Sequence, residues 1–140
     1  MFNYEGGIKG VLIAAQVCPG RKQFIEWEVN ASEKSLGWNG EEPNVLWIGA
    51  RSAGNTSLMK DPNVLYEDAR EYAHYSVGLT EGYPDTWKNL LMSVYKYIKD
   101  YNPDNPAEPV FPTFKDGYRI QVLIDAVLES AQKDKWINIE

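Results

Sequence analysis

Two hydrophobic periods divide the chain into a strand-rich first half and a helical second half. Up to about residue 60, short apolar runs alternate with turn signals such as Pro19-Gly20, and residues 23–30 place apolar and polar side chains on opposite sides. Turns at this spacing predict an antiparallel meander. The predicted strands cover residues 1–4, 10–17, 23–30, 35–38, 45–50 and 56–60.

Two amphipathic helices follow. The first starts near Pro84 and the second near Thr113, which forms a capping-box pattern with Asp116. A proline-rich loop, residues 102–112, separates them. Each helix has one apolar stripe, so we expect both to pack on one face of the sheet. The predicted packing residues are Leu90, Leu91, Val94, Ile120, Leu123 and Val127.

The remaining segments complete an α+β fold. The sequence predicts a short irregular helix in residues 63–74 and a loop in residues 75–82. It also predicts a last strand in residues 135–139. Strands followed by helices indicate an open, predominantly antiparallel sheet with two long helices packed on one face. Residues 1–140 are expected to form a single domain, because this length suits one domain with its own core.

The predicted sheet has more apolar surface than two helices can cover. Residues 10–17 and 45–50 carry apolar side chains on both sides, whereas a sheet covered on one face should alternate. Either a second copy of the chain covers the other face, or residues 63–82 fold over it. The first interpretation predicts a homo-oligomer with interface residues Val11, Leu12, Ile13, Leu46, Trp47 and Ile48.

Charge and composition exclude several classes of partner. The net charge is -6 and the basic residues are scattered, which argues against nucleic acid and against an anionic membrane surface. No apolar run reaches the ~20 residues of a membrane helix. A single cysteine and the lack of a signal-like start favour a reducing, cytoplasmic location.

Few residues in the sequence suggest chemistry. Residues 5–10 are glycine-rich, but the turn leads to another strand instead of a helix, so a hairpin is favoured over a phosphate loop. His74 is the only histidine, which excludes a histidine cluster for metal binding and leaves a loop side chain or a substrate contact. Cys18 is best explained as a small hydrophobic residue.

Two short polar segments remain open to more than one interpretation. Arg21 and Lys22 follow a Pro-Gly turn and are either solvated or bind an anion or a sugar. Glu81, Tyr83 and Asp85 precede the first long helix, where carboxylates favour the positive N-terminus. The same residue types also hold sugar hydroxyls and ring faces.

The order of several motifs resembles a known enzyme family. The most specific are Glu41-Glu42-Pro43-Asn44 before a strand and Pro112-Thr113-Phe114-Lys115-Asp116-Gly117 before the second helix. Between or before them lie Gly20-Arg21-Lys22, Tyr72-Ala73-His74 and Glu81-Gly82-Tyr83-Pro84-Asp85. Over almost its whole length the chain resembles the C-terminal domain of the glucose-fructose oxidoreductase and inositol dehydrogenase family, the Gfo/Idh/MocA type.

The resemblance implies a domain without its catalytic half. The family's N-terminal Rossmann domain binds NAD or NADP and carries a catalytic Lys in a Glu-Lys-Pro segment, but here Glu33-Lys34 is followed by Ser35. We therefore expect no Rossmann domain, no catalytic residue and no cofactor bound by this fragment. The parent enzyme would use NAD or NADP to oxidise a sugar or polyol.

Two functions follow from the sequence. In the first, the chain supplies substrate-pocket walls and subunit association to the parent dehydrogenase, and is inactive alone. The segments that resemble the family's pocket loops contain Arg21, Lys22, His74, Glu81 and Tyr83. The alternative is a standalone carbohydrate-binding or assembly module without catalysis.

Overall fold

The strands and the two long helices occupy separate parts of the protein in the computed structural model, which describes residues 1–139. The chain divides into two units, Met1–Thr80 and Glu81–Glu140. The first unit contains the strands and one short helix, α1 (Glu67–Arg70), and the second contains the two long helices. The predicted α+β class is confirmed. That the whole chain forms one domain stays a prediction.

The predicted meander is present as a four-stranded antiparallel sheet. Cross-strand pairing sets its register: Trp27 lies opposite Trp38, and Gly37 lies opposite Trp47. The Trp27 and Trp38 rings stack with their centroids 6.4 Å apart, which adds to the pairing of the first two strands. In spatial order the strands are β3 (Glu26–Asn30), β4 (Lys34–Asn39), β5 (Val45–Ala50) and β6 (Thr56–Met59).

A separate small hairpin begins the chain. Strands β1 (Phe2–Asn3) and β2 (Lys9–Gly10) pair in antiparallel register and are joined by a 3-10 turn at Glu5–Gly7. Gly6 and Gly7 have φ values of 75° and 81°, which side chains rarely tolerate. The glycine-rich segment is therefore a hairpin turn, as the sequence predicted.

Two predicted strands are wrong. Strand β2 ends at Gly10, and residues 11–17 have no strand partner in the structure. Residues 135–139 are likewise not a strand. The strand predicted for residues 23–30 begins only at Glu26. An apolar run supplies side chains for burial, but a strand also needs a neighbour for its backbone hydrogen bonds.

The long helices begin where their local signals predict. Helix α2 (Tyr83–Asp100) starts after Gly82, whose N–H donates to the Asp85 carboxylate at 2.8 Å. Helix α3 (Phe114–Lys133) starts after Thr113, whose N–H donates to the Asp116 carboxylate at 2.8 Å. Both caps satisfy backbone donors that the helix leaves unpaired. The packing of these helices on a sheet face stays a prediction.

Strand alternation gives the four-stranded sheet two different faces. One face, called here the apolar face, carries Trp27, Val29, Leu36, Trp38, Leu46, Ile48 and Leu58. The opposite face, called the Trp47 face, carries Trp47 among polar neighbours that include Glu26, Glu28, Asn30, Ser35, Asn39 and Ser57. Strand β5 is apolar on both sides, whereas β3 and β4 carry polar side chains on the Trp47 face.

Hydrophobic side chains keep substantial solvent contact throughout the described chain. None of those in residues 1–139 is fully buried, and the glycine at position 49 is the buried residue of the sheet. Also within these residues, no helix has the length and apolar character needed to cross a membrane. Exposed apolar side chains are thus present both on the sheet and on the long helices.

Candidate functional site

The Glu-Glu-Pro-Asn motif forms a tight turn between β4 and β5. The Glu41 N–H donates to the Asn39 side-chain oxygen at 2.9 Å, and the Glu42 N–H donates to the Asn39 carbonyl at 3.0 Å. The Trp38 indole N–H donates to the Pro43 carbonyl at 3.0 Å. These contacts fix the direction in which the chain enters β5. The motif is therefore explained by its role in forming this turn.

The last residue of this motif holds a distant loop. The Asn44 side-chain amide donates to the Leu79 carbonyl at 2.8 Å, and the Asn44 carbonyl accepts from the Lys60 N–H at 2.7 Å. The Lys60 ammonium also lies 3.3 Å from the Tyr75 carbonyl and 3.4 Å from that of Leu79. We call this pair the Asn44–Lys60 clamp. It ties residues 75–79 to the end of the β5–β6 hairpin.

His74 lies directly before the clamped loop and is half-buried. It follows α1, so the two anchors on either side are a short helix and the Asn44–Lys60 clamp. His74 therefore lies between a helical turn and a loop that is held by hydrogen bonds. The clamp was not predicted from the sequence. Its signal is a polar Asn44 between a proline and an apolar strand.

Arg21 and Lys22 occupy an exposed turn in the same unit. The Arg21 N–H donates to the Cys18 carbonyl at 3.3 Å, and its guanidinium carbon lies 4.6 Å from the centre of the Phe24 ring. This cation–π contact orients the guanidinium. Lys22 has a φ of 52°, a left-handed conformation that few non-glycine residues adopt. The turn therefore presents two cations to solvent in a defined geometry.

Glu81 and Tyr83 lie in the second unit, at the start of α2. Glu81 is half-buried, and the neighbouring Asp85 carboxylate accepts the Gly82 N–H. The Tyr83 ring meets Trp87 edge-on with centroids 6.3 Å apart. The Asp85 carboxylate has a structural role as the cap of α2, and Glu81 takes no part in that hydrogen bond.

The structure divides the predicted site residues between the units. Arg21, Lys22 and His74 belong to the first, and Glu81 and Tyr83 belong to the second. In residues 1–139, no group of three or more His, Cys, Asp or Glu side chains could hold a metal ion. The glycine-rich turn at Glu5–Gly7 joins two strands, so it does not fit a nucleotide phosphate.

The predicted interface residues do not share one surface. Leu46 and Ile48 lie on the apolar face, and Trp47 lies on the opposite one. The other three lie outside the strands and are 72%, 65% and 86% exposed, in the order Val11, Leu12 and Ile13. Alternation along β5 makes this division unavoidable.

The chain is similar to several proteins of known sequence or structure. It is 25% identical to levoglucosan dehydrogenase of Pseudarthrobacter phenanthrenivorans, over 99% of this chain and 35% of that protein. An oxidoreductase from Sinorhizobium meliloti matches 89% of the chain with a TM-score of 0.76 and 24% identity, over 35% of its own length. No protein-family model matches.

A third similar protein has a nucleotide in its crystal structure. The inositol dehydrogenase homolog from Azotobacter vinelandii, complexed with NAD+, matches 63% of this chain and 23% of its own, with a TM-score of 0.59 and 28% identity. The chain thus spans about a third or less of the length of these relatives. These similarities support the resemblance of the chain to the C-terminal part of Gfo/Idh/MocA-type oxidoreductases.

Proposed function

We propose that the chain is the C-terminal domain of an NAD(P)-dependent sugar or polyol dehydrogenase, in which it supplies substrate-pocket walls and subunit association. The observation that carries this proposal is the similarity to levoglucosan dehydrogenase along 99% of the chain. The NAD+ in the inositol dehydrogenase homolog supports a nicotinamide cofactor for the parent enzyme. By this proposal the chain is inactive alone.

The proposed division of labour follows from the chemistry. Hydride transfer requires a nicotinamide placed against a carbon of the substrate. The Glu5–Gly7 turn does not offer the strand-turn-helix geometry that binds a dinucleotide. A separate Rossmann domain would supply that geometry. The residues of this chain would bind and orient the sugar and exclude water from the reacting carbon.

In this proposal each unit, taken by itself, supplies candidate sugar-binding residues. In the first unit, His74 and the cations Arg21 and Lys22 can donate hydrogen bonds to sugar hydroxyls or to an acidic substituent. In the second unit, Glu81 can accept from hydroxyls and Tyr83 can contact a ring face. The Asn44–Lys60 clamp supports the assignment, because a binding side chain gains from a loop held in one position.

Subunit association would use the apolar face of the sheet. Its side chains Trp27, Val29, Leu36 and Leu58 remain 43%, 59%, 38% and 39% exposed in the chain. Leu46 and Ile48 continue the same face on β5. A contiguous apolar surface of this kind is stabilised by a second copy with the same surface.

Sequencing the gene upstream of the Met1 codon tests whether the chain belongs to a longer dehydrogenase. We expect an in-frame sequence with a Rossmann fingerprint, and the protein containing it should reduce NAD or NADP with a sugar or polyol. The absorbance of the reduced nicotinamide measures this directly. An in-frame stop codon just before Met1 would overturn the proposal and favour a standalone carbohydrate-binding or assembly module.

The chain alone provides two further measurements. Calorimetric titration with NAD and NADP should show no specific binding, and micromolar affinity would contradict the division of labour. Sedimentation should show an oligomer that Leu36→Glu dissociates, because a carboxylate would be placed within the apolar face. The matched control is Ser57→Glu on the Trp47 face, which should leave the oligomer intact. A wild-type monomer at every concentration would exclude this association.

A further inference from the structure

The dipeptide Asn39-Gly40 lies where β4 ends and the turn before β5 begins. Asparagine before glycine is chemically labile, because the backbone nitrogen of glycine can attack the asparagine side-chain carbon without a Cβ in its way. This dipeptide occurs once in the chain, and every other asparagine precedes a residue that has a side chain. The contacts that bear on it all lie within the first unit.

Both residues of the dipeptide have a role in the turn. The Asn39 side-chain oxygen accepts the Glu41 N–H at 2.9 Å, which is the pattern of an Asx turn. A Cβ added to Gly40 would lie 3.1 Å from the Ile25 carbonyl oxygen and 3.4 Å from the Trp38 ring, which is a crowded position. The close approach of β3 to β4 therefore favours glycine here, and the turn favours the asparagine before it.

The folded sheet opposes the reaction in three ways. The Gly40 N–H donates to the Ile25 carbonyl at 2.8 Å, so the proton that the nitrogen must lose is held in a hydrogen bond. The Asn39 side chain is held by the Glu41 N–H. Asn39 also pairs with Glu26 as the last residue of β4, and ring closure requires it to leave this extended conformation. The reaction therefore requires this end of the sheet to open.

We propose that Asn39 is a deamidation site that the folded sheet protects and that local opening of the β3–β4 pairing activates. In the opened chain the Gly40 nitrogen gives its proton to water and bonds to the Asn39 side-chain carbon. The carbon–nitrogen bond of the side-chain amide breaks, and ammonia leaves with a proton taken back from water. A second water hydrolyses the cyclic imide to aspartate or isoaspartate. The net reaction consumes water, releases ammonia and needs no oxidant or cofactor.

The products weaken the pairing that protected the site. Isoaspartate adds a methylene to the main chain, which displaces the hydrogen bond between the Glu42 N–H and the Asn39 carbonyl. Either product also places a carboxylate opposite Glu26 and close in sequence to Glu41, and like charges across a sheet are destabilising. A sheet that opens and reacts therefore closes less well afterwards. This inference goes beyond the proposed function, because it requires neither a sugar nor a nucleotide.

The test is incubation of the 140-residue chain at mildly alkaline pH, in native buffer and in urea. Peptide mass spectrometry measures the fraction of Asn39 that is deamidated. We expect the reaction to be faster in urea by about tenfold or more, because a reaction of the opened state follows the population of that state. Equal rates in the two solutions would overturn protection by the sheet, and an unmodified Asn39 in urea would overturn the site itself.

Two variants separate the chemistry from the protection. Gly40→Ala, measured in urea where folding plays no part, should slow the reaction by about tenfold, because the added Cβ hinders ring closure. Trp38→Ala loosens the β3–β4 pairing and should accelerate the reaction several-fold in native buffer but not in urea. A Trp38→Ala rate equal to that of the wild type in native buffer would overturn opening of this pairing as the trigger.

Controls come from the same chain. Asn55 precedes Thr56 in the neighbouring hairpin and should stay unmodified in both solutions, because a β-branched residue hinders the attack. Trp136→Ala should leave both rates unchanged, since this residue is 63% exposed and lies outside the strands. After removal of urea, the chain that contains isoaspartate should unfold at a lower urea concentration than the unmodified chain. Equal midpoints would overturn the effect of the product on the sheet.

Discussion

The sheet and the long helices differ in what defines their ends. Helices α2 and α3 begin at hydrogen bonds between residues three apart, as at Gly82 with Asp85 and Thr113 with Asp116. The sheet depends on partners further along the chain, such as Trp27 with Trp38 and Gly37 with Trp47. Local signals therefore suffice for the helices, whereas a strand exists only if its neighbour does.

The largest effect should come from disturbing the sheet. Trp38 is half-buried, stacks on Trp27 and donates to the Pro43 carbonyl, so Trp38→Ala removes packing and a hydrogen bond together. We expect the free energy of unfolding of the sheet to fall by roughly 2–3 kcal/mol, below the cost for a fully buried tryptophan. Urea denaturation followed by the strand signal in circular dichroism measures it.

Trp136→Ala is the control, because this residue is 63% exposed and lies outside the helices and strands. Equal denaturation midpoints for the two variants would mean that Trp38 does not hold the meander together.

The second effect concerns the local signal of α3. Thr113→Ala removes the side chain that accepts the Asp116 N–H, and the hydroxyl that donates to the Asp116 carboxylate at 2.7 Å. Loss of an N-cap costs about 1 kcal/mol. Thermal melting of the helical signal should therefore shift to lower temperature. Thr86→Ala, inside the first turn of α2, is the matched control and should melt as the wild type does.

A comparable but local effect is expected where the sheet holds a loop. Asn44→Ala removes the hydrogen bond to the Leu79 carbonyl, worth about 0.5–1.5 kcal/mol. Amide hydrogen exchange should accelerate in residues 75–79 and stay constant in β3 and β4. Asn63→Ala is the control, since its amide bonds to the nearby Asp61. Uniform acceleration throughout the sheet would show that Asn44 supports the whole fold and not this loop.

The smallest effect is a dependence of α3 on pH. Hydrogen bonds from the Thr113 hydroxyl and the Thr113 N–H hold the pKa of Asp116 below its ordinary value of 3.8. A lowered pKa means that the folded state favours the carboxylate. This stabilisation is present above the ordinary pKa and is lost as the pH falls through the lowered one.

Acid titration of the helical signal should therefore show a loss below about pH 4. Asp116→Asn should flatten this acid limb, and Asp125→Asn in the middle of α3 should not. If both variants titrate like the wild type, the cap does not couple α3 to pH.

Sequence prediction succeeded where local signals suffice and failed where a strand depends on a distant partner. The strand predicted for residues 45–50 is β5 to the residue, because its apolar run lies between turn motifs and pairs on both sides. An equally apolar run in residues 11–17 is not a strand, because no neighbour provides backbone partners. Hydrophobicity alone cannot separate these cases, since pairing is non-local.

The candidate sites show the same limit. His74, Arg21 and Glu81 were identified from residue type and family resemblance, which carry no geometry. The Asn44–Lys60 clamp joins residues up to 35 positions apart, a separation over which sequence spacing has no predictive value. The Trp47 face became visible only through the register that aligns Glu28 with Gly37 and Trp47.

By itself the sequence determined the α+β class, the helix starts and the resemblance to Gfo/Idh/MocA-type C-terminal domains. These three features depend on hydrophobic periodicity, helix caps and motif order. Periodicity and caps act over a few residues, and motif order can be read directly from the sequence. Only the tertiary structure decided which apolar run pairs and which sheet face carries Trp47. Register decides these because a shift of one residue moves every side chain to the other face.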